Sequence, residues 1–258
     1  MKKEELKSII EMLKEHSQLQ PEKAAYVLVK DDEDNVIITY RELEETIQKI
    51  GYQLKEAKAK NNKVLVMYPP GLEYVTIVLA CLYVGYVGIP CYPFEEKSKE
   101  NIENILSDAD PGIVFSIKQD SGEYESLVQK YSAAKWMELG QLQESGKKAE
   151  SENINIEEIA LLQYTSGSIA KPKGVMVTHK NLAFNIQIIK RAFELDQDSK
   201  AVIWLPPSHD MGLIGGLMEG LYVGFTVYYF PPNEFIQKPF RWLQTISKYQ
   251  ATVSGGPN

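Results

Sequence analysis

The sequence has only two cysteines in 258 residues, Cys81 and Cys91, and neither has the spacing of a metal-binding motif. This scarcity excludes a disulfide framework and a zinc site built from cysteine. Both cysteines stand among apolar residues, which is typical of buried thiols in a reducing compartment. We therefore predict a cytoplasmic protein without metal-ligating residues of its own.

Runs of basic residues are also lacking. The chain has 28 Lys and Arg against 35 Asp and Glu, a net charge of -7. An acidic chain of this kind repels phosphate backbones and anionic lipids, so neither nucleic acid nor a membrane is an expected partner. Any phosphate that the protein binds must be met by positive charge concentrated in one place.

Long uninterrupted apolar segments are scarce as well. The N-terminus begins like a signal peptide, but no apolar core follows, and helical spacing predicts an amphipathic helix through Leu6, Ile9, Ile10 and Leu13. One uncharged stretch, Tyr74–Phe94, approaches the length of a membrane span, about twenty residues. Glycines and prolines from Gly85 onward interrupt it, so we predict a buried helix ending near Val84 and a strand at Val87–Ile89.

What the sequence does contain is a regular alternation of strands and helices. The further predicted strands are Val64–Met67, Ile113–Ile117, Ile159–Tyr164, Val175–Val177, Val202–Leu205 and Thr226–Phe230. The further predicted helices are one opened by a Thr39/Glu42 capping box, one near Ser98–Leu106, one from Thr178 to Phe193, a glycine-rich one to Tyr222 and one begun by Pro239. Such alternation predicts an α/β protein whose mostly parallel sheets are flanked by helices.

A polar and charged stretch at residues 119–153 interrupts this alternation. We therefore predict a first α/β part at 1–118, a polar connecting segment at 119–153 and a second α/β part at 154–258. The last residues, 251–258, read as a strand followed by a turn, so we expect a fragment that is truncated at its C-terminal end.

The segment Tyr164–Gly174 reads Tyr-Thr-Ser-Gly-Ser-Ile-Ala-Lys-Pro-Lys-Gly and directly follows a predicted strand. Small residues let backbone N–H groups converge, hydroxyls add donors, and Lys173 supplies a mobile positive charge, a combination that suits polyphosphate. The Gly-Lys-Ser/Thr ending of a Walker loop is missing. On composition alone, a polar surface turn between two strands is an equally good interpretation.

This segment resembles the phosphate-binding signature of the adenylate-forming superfamily, Thr-Ser-Gly-Ser-Thr-Gly-x-Pro-Lys-Gly. That superfamily comprises acyl-CoA synthetases, luciferase-like enzymes and the adenylation domains of nonribosomal peptide synthetases. Val175–His179, Pro21–Tyr26 and Thr39–Leu43 match as well, so the resemblance covers essentially the whole chain. Within the superfamily the chain is most similar to fatty acyl-AMP ligases, at Tyr68–Glu73, Cys91–Pro93, Trp204–Pro206, His209–Gly215 and Thr252–Asn258.

The resemblance implies a fold and an activity. The fold would be a partial N-terminal large domain with a layered αβαβα arrangement. The enzyme would use ATP and Mg²⁺ to convert a fatty or related carboxylic acid into an acyl-adenylate, with release of pyrophosphate. It would load the acyl group onto an acyl or peptidyl carrier protein of a polyketide or nonribosomal peptide synthase. Further family motifs would follow Asn258, so we expect the chain to be inactive by itself.

By the same resemblance, the residues that would hold the β- and γ-phosphates are Thr165, Ser166, Gly167, Ser168 and Lys173. Two positions depart from the family pattern. Ile169 replaces a threonine, which removes a hydroxyl whose bond to a charged phosphate is worth about 1.5–3 kcal/mol. Ala170 replaces a common glycine, which costs about 1 kcal/mol if the backbone there requires a positive φ. Phosphate binding is expected to be weakened or rearranged.

His209 follows the end of a predicted strand, where parallel sheets place ligand sites. Taken alone, a histidine beside Asp210 is more typical of a structural hydrogen bond. The resemblance instead implies a catalytic and substrate-binding position, at which His209 orients the carboxylate and the α-phosphate and does not act as a base.

The residues after His209 give two readings. Together with His209, the predicted acid-binding residues are Met211, Gly212, Gly215 and Gly216, which would leave a groove for an acyl chain. Equally, the glycines would let a helix approach the sheet closely, and the apolar residues would be core.

Other functions remain open at this stage. With the same chemistry, the protein would be an acyl-CoA ligase or an amino-acid adenylation domain. In a different class, it would be a catalytically silent module that binds an acyl group or a carrier protein, a reading that Ile169 and Ala170 motivate.

Overall fold

The structure is a computed structural model that describes residues 6–30, 34–92, 99–117, 121–139, 146–165 and 173–257. Contacts within the chain define two compact units. Unit 1 comprises Met1–Glu44, Pro70–Val75 and His179–Asn258, and unit 2 comprises Glu45–Pro69 and Thr76–Thr178. The three-part division along the sequence, with limits at 118 and 153, stays a prediction.

The helices are α1 (Ile9–Leu19), α2 (Tyr40–Glu56), α3 (Leu72–Tyr83), α4 (Lys99–Ala109), α5 (Ser121–Tyr131), α6 (His179–Ala192), α7 (Asp210–Gly212), α8 (Glu219–Val223), α9 (Pro232–Gln237) and α10 (Phe240–Tyr249), and a π-helical segment, Leu213–Met218, joins α7 to α8. The strands are β1 (Ala24–Leu28), β2 (Val36–Thr39), β3 (Lys63–Val66), β4 (Val87–Pro90), β5 (Ile113–Phe115), β6 (Lys135–Met137), β7 (Ile159–Thr165), β8 (Lys173–Thr178), β9 (Lys200–Ile203), β10 (Thr226–Tyr229) and β11 (Val253–Ser254).

Each unit is built on one sheet. The sheet of unit 1 has five strands in the order β11-β9-β10-β1-β2, and only the β1–β2 pair is antiparallel. The sheet of unit 2 has six strands in the order β6-β5-β3-β4-β7-β8, and only the β7–β8 pair is antiparallel. The prediction of mostly parallel sheets flanked by helices is confirmed.

Several local predictions are confirmed by hydrogen bonds and burial. The N–H of Thr39 donates to Oε2 of Glu42 at 2.9 Å, and the N–H of Glu42 donates to Oγ1 of Thr39 at 3.2 Å, which completes the capping box at α2. In the uncharged stretch, α3 is a 12-residue helix followed by β4. None of the helices described is long and apolar enough to cross a membrane.

Five elements were not among the strands and helices predicted from patterns: β1, β2, α5, β6 and α9. Two of them lie in the polar stretch 119–153, where β6 extends the sheet of unit 2 as an edge strand. An edge strand needs few apolar residues, because one side of it is unpaired, and of its three residues only Met137 is buried. Elements as short as β6, with three residues, and α9, with six, leave no periodic signal in a sequence.

Buried polar side chains hold the core of unit 1 together. The hydroxyl of Tyr26 donates to the carbonyl of Leu217 at 3.0 Å, and the hydroxyl of Tyr40 donates to the carbonyl of Phe225 at 3.1 Å. The guanidinium of Arg241, which is 6% exposed, donates to the carbonyl of Val29 at 2.7 Å and pairs with Glu234. These hydrogen bonds join segments that are about 180–210 residues apart in the sequence, so they hold distant parts of unit 1 together in addition to apolar packing.

Three glycines let the helical segment 210–223 lie directly on the sheet of unit 1. A methyl group added at Gly212 would stand 2.3 Å from the carbonyl oxygen of Pro206. One added at Gly216 would stand 3.0 Å from Cγ2 of Ile203, and one at Gly220 would stand 2.2 Å from Cγ2 of Val227. These residues are four apart and share one helical face, so the glycine side of the helix is the side that meets β9 and β10.

Gly220 and Gly215 form a matched pair for testing this packing. Gly220→Ala should lower the free energy of unfolding by about 1–3 kcal/mol, because the buried Val227 cannot move away cheaply. Gly215→Ala should be neutral or stabilising by up to about 1 kcal/mol, because, apart from the adjacent residues and the helix's own backbone, no described atom lies within 4 Å of the added methyl. Urea unfolding of both variants checks this, and equal losses would contradict the assignment of faces.

The buried His179 should make unit 1 sensitive to acid. The side chain is 3% exposed, and burial lowers its pKa from 6.5 to about 4, while the nearby Glu11 acts in the opposite direction. Between these two pH values the unfolded chain binds a proton that the folded chain does not, so stability falls as the pH falls below 6.5. The contribution of His179 alone between pH 7.5 and pH 5 should be a loss of about 2 kcal/mol, while Glu219, whose pKa burial raises to about 7, acts in the opposite direction over the same range.

His179→Gln has no titrating group at this position, so its stability should change less with pH than that of the wild type. As the pH is lowered, the unfolding free energy of the wild type should fall relative to that of His179→Gln, by about the contribution of His179. Chemical unfolding at pH 7.5, 6 and 5 measures it. A difference that is constant across this range would show that His179 does not titrate on unfolding.

Candidate functional site

The predicted phosphate-binding segment lies at one end of the β7–β8 hairpin in unit 2. The two strands are antiparallel, and Thr165 pairs with Lys173 at the end of their register. Ser166, Gly167 and Ser168 lie outside the described residues, as do Ile169 and Ala170. Thr165 and Lys173 are thus brought together as neighbours across the hairpin, and the side chain of Lys173 is exposed at the first position of β8.

Tyr164 and Gly174 form the next pair of the hairpin and fix its geometry. A methyl group at Gly174 would stand 2.9 Å from Cζ of Tyr164, so the tyrosine ring lies across the glycine. The hydroxyl of Tyr164 donates to Oδ2 of Asp108 at 2.6 Å, and its ring packs against the core cluster of unit 2. Burial and this hydrogen bond raise the pKa of the tyrosine hydroxyl above its usual range. Gly174 is therefore required for packing, and the ring anchors the strand beside Lys173.

The predicted catalytic residue, His209, lies in unit 1 in the turn that follows β9. Its backbone N–H donates to the carbonyl of Pro206 at 3.1 Å, and its own carbonyl accepts from the N–H of Leu213 at 2.8 Å. Its backbone is extended, at φ -97° and ψ 148°, and α7 begins at the next residue. The side chain is exposed beside the carboxyl end of the strand, which is where parallel sheets place ligands.

The predicted acid-binding residues after His209 lie on one helical segment. Two of them pack tightly and two do not. Gly212 and Gly216 meet Pro206 and Ile203 closely, which favours the packing interpretation of these two glycines. Gly215 faces open space among the described residues, and Met211 is 47% exposed. Gly215 and Met211 are thus the two positions that remain accessible to a ligand.

An aromatic cluster beside the same turn was not predicted. Trp204 follows β9 and stacks on Phe235 with a centroid distance of 3.8 Å, and Trp242 meets both rings edge-on. A methyl group at Gly256 would stand 3.1 Å from Trp204, so the closing segment runs against this cluster. The indole N–H of Trp242 donates to Ser254 at 2.7 Å, which holds that segment in place.

Glu219 is a second feature that sequence reasoning missed. It is 3% exposed, and its Oε1 has no hydrogen-bond partner within the part of the chain that the structure describes. Burial raises its pKa to about 7. The available signal was one acidic residue inside the apolar, glycine-rich stretch Leu213–Val223.

Comparison with characterised proteins found relatives that are about twice as long. The chain is 36% identical over 271 residues to the medium-chain-fatty-acid–[acyl-carrier-protein] ligase JamA of Moorena producens, covering all of this chain and 45% of JamA. It is 30% identical over 286 residues to TtuA of Teredinibacter turnerae, which is also described as a medium-chain-fatty-acid–[acyl-carrier-protein] ligase. That match covers 94% of this chain and 44% of TtuA. The chain thus spans less than half the length of these relatives.

Among the solved structures similar to this chain is a fatty acyl-adenylate ligase. The fatty acyl-adenylate ligase from L. pneumophila, solved in complex with acyl adenylate and pyrophosphate, superposes with a TM-score of 0.86 and 32% sequence identity. The match covers 97% of this chain and 44% of that structure. The resemblance to fatty acyl-AMP ligases stated from the sequence is confirmed by these relatives.

The family assignment rests on nearly the whole chain. The model of the family described as AMP-binding enzyme matches residues 13–258, which includes both sheets, the β7–β8 hairpin and the turn at His209. This chain belongs to the AMP-binding enzyme family.

Proposed function

We propose that this chain forms the phosphate- and acid-binding part of a ligase that converts a carboxylic acid and ATP into an acyl-adenylate and pyrophosphate. The observation that carries the proposal is the β7–β8 hairpin in a chain that matches the AMP-binding family over residues 13–258. Its end carries the signature segment and leaves Lys173 exposed. Because the chain spans only about 45% of its relatives, the activity of the whole protein is part of the proposal.

The chemistry requires positive charge near two anions. A carboxylate oxygen forms a bond to the α-phosphorus of ATP, the bond from that phosphorus to pyrophosphate breaks, and negative charge builds on the leaving group. In a chain with a net charge of -7, the overall field opposes both anions. Lys173 supplies the local cation, and the backbone and hydroxyls of residues 165–168 are the proposed donors.

Mg²⁺ belongs to the same proposal as a companion of the ATP phosphates. No group of three or more acidic, histidine or cysteine side chains in the described ranges is arranged to hold a metal ion. Magnesium is commonly bound through substrate phosphates, waters and only one or two carboxylates. The proposal therefore places Mg²⁺ with the ATP phosphates and assigns it no ligand among the described residues.

We assign an orienting role to His209. The backbone of the turn fixes its position through Pro206 and Leu213, while its side chain is exposed. The acid is already ionised at neutral pH, so the reaction needs no base to deprotonate it. A positioned imidazole can instead hold the carboxylate and the α-phosphate in the geometry for attack.

The proposed substrate is a fatty acid and the proposed acceptor a carrier protein. JamA and TtuA are described as ligases that join medium-chain fatty acids to an acyl carrier protein, and both are at least 30% identical to this chain. A role beside a polyketide or nonribosomal peptide synthase is the finer part of this proposal. A cytoplasmic location fits the two cysteines, which are both buried thiols.

Isotope exchange between ATP and pyrophosphate, measured on this chain and on its longest natural form, separates the candidate functions. Exchange that depends on fatty acids supports the proposal, whereas exchange that depends on amino acids supports an amino-acid adenylation domain. Supplying CoA or a carrier protein as the acceptor then distinguishes the two acyl ligases. ATP or acid binding without any exchange in the longest form would support the silent binding module.

Lys173→Ala should weaken ATP binding about ten- to a hundredfold, because a bond between a charged donor and phosphate is lost. Equilibrium binding of ATP to this chain measures the effect without requiring turnover. Lys190→Ala removes another exposed lysine, in α6, and serves as the control. If the two variants bind ATP with the same affinity as the wild type, the phosphate site is assigned wrongly.

A further inference from the structure

Strand β8, which carries Lys173 at its first position, has little support from the sheet of unit 2. It is the terminal strand of that sheet, so β7 is its one neighbouring strand among the described residues. All six of its residues are at least partly exposed, and Val175 and Met176 are 48% and 67% exposed. An edge strand that buries so little surface opens more easily than a central strand. A cation on such a strand needs a further support if it is to stand at a fixed point.

Tyr164 reaches from β7 across β8 to the helix α4. Its ring covers Gly174, because a methyl group added there would stand 2.9 Å from Cζ and 3.1 Å from the hydroxyl oxygen of the tyrosine. The same hydroxyl donates to Oδ2 of Asp108 at 2.6 Å. Burial, together with this hydrogen bond, raises the pKa of Tyr164, so the hydroxyl remains a donor at neutral pH. The far end of the ring is thus bonded to α4 at the point where the ring crosses β8.

The position of Asp108 is not explained by α4 itself. It lies in the last turn of the helix, where the helix dipole disfavours a negative charge, and no basic residue of α4 occupies that turn. Its side chain is exposed, so it is not there for apolar packing. Leu106 and Ala109, beside it on the helix, are buried in the core cluster that the Tyr164 ring also contacts. Asp108 therefore offers a hydrogen-bond acceptor from a helix that is packed into the core of unit 2.

We propose that Asp108 and Tyr164 are positioning residues for the phosphate site, and that the hydrogen bond between them holds β8 in place and so presents Lys173 at a fixed point. The inference rests on the proposed function, because it needs Lys173 to bind phosphate. Tyr164 and Gly174 pair directly next to Thr165 and Lys173, so a shift of the ring is passed to the lysine through one peptide unit. A lysine that is held in place before binding loses less entropy when the phosphate binds.

Calorimetric binding of inorganic tripolyphosphate to this chain tests the role of the hydroxyl. Tyr164→Phe keeps the ring over Gly174 and removes only the hydrogen bond, so it should weaken binding about three- to tenfold. Tyr83→Phe is the matched control, because the Tyr83 hydroxyl accepts a hydrogen bond from Gln48 at 3.2 Å elsewhere in unit 2. It should bind like the wild type. Each variant is measured well below its unfolding temperature, and equal affinities of Tyr164→Phe and the wild type would overturn the inference.

Asp108→Ala distinguishes positioning from charge by the sign of its effect. Removing a negative charge from an acidic chain would, through the overall field alone, strengthen the binding of an anion. A positioning role predicts the opposite, a loss of about three- to tenfold. Glu100→Ala removes the same charge from the other end of α4 and should bind at least as tightly as the wild type.

Asp108→Asn keeps an acceptor oxygen without the charge, so it should retain most of the affinity that Asp108→Ala loses. Tighter binding by Asp108→Ala, or an equal loss in Glu100→Ala, would overturn the assignment of Asp108. If Asp108→Asn loses as much affinity as Asp108→Ala, the hydrogen bond is not the cause of the loss, and the assignment is overturned as well.

The double variant and Lys173→Ala separate this inference from the proposed function. If the two residues act through one hydrogen bond, Tyr164→Phe combined with Asp108→Ala should bind no more weakly than either single variant. Losses that add would overturn the pairing. If Lys173→Ala weakens binding but the variants at Tyr164 and Asp108 do not, only the inference fails. If the wild type binds no tripolyphosphate, or if Lys173→Ala binds it equally well, the proposed phosphate site fails and the inference fails with it.

Discussion

The close approach of the helical segment 210–223 to the sheet of unit 1 determines where each predicted acid-binding residue lies. At Gly212 the distance from an added methyl to the Pro206 carbonyl is only 2.3 Å, so the helix and the turn before it meet backbone to backbone. That contact fixes the turn that carries His209, because both ends of the turn are also joined by hydrogen bonds. With one face of the helix packed on the sheet, Met211 and Gly215 lie on the adjoining face, where Met211 is 47% exposed.

The same constraint answers the question that the sequence left open about the glycines. A glycine in a helix costs roughly 1 kcal/mol relative to alanine, so four of them between residues 212 and 220 require a reason. For Gly212, Gly216 and Gly220 the reason is contact with the sheet. Gly215 has no such contact, and conformational freedom does not explain it either, because it lies inside a regular π-helical segment. The packing explanation therefore covers three of the four glycines and does not extend to Gly215.

The sequence predicted the parts of the fold that leave a local signal. Apolar runs and caps gave most strands and helices, and the alternation gave the parallel sheets. It could not give the pairing of β1 with β10, which are about 200 residues apart, or the two interleaved units, because nothing local records which distant strand is a neighbour. The strands before and after the signature segment and the position of His209 after a strand were predicted from the sequence, but the antiparallel pairing of β7 with β8 was not. Glu219 and the cluster at Trp204 required burial and contacts, which a single sequence does not contain.

Arg241 and Lys173 are two cationic side chains in different surroundings, one buried and paired and the other exposed. The guanidinium of Arg241 is buried, bonded to Val29 and paired with Glu234, so its charge is already neutralised within unit 1. Lys173 is exposed at the end of the β7–β8 hairpin, next to the Tyr164–Gly174 pair. An exposed ammonium group pays no desolvation penalty while no anion is bound to it. A support that holds the group in place reduces the entropy lost when an anion binds. In an acidic chain such a cation is most effective when it stands alone at a fixed point, because an anion then has one place at which the local field favours it.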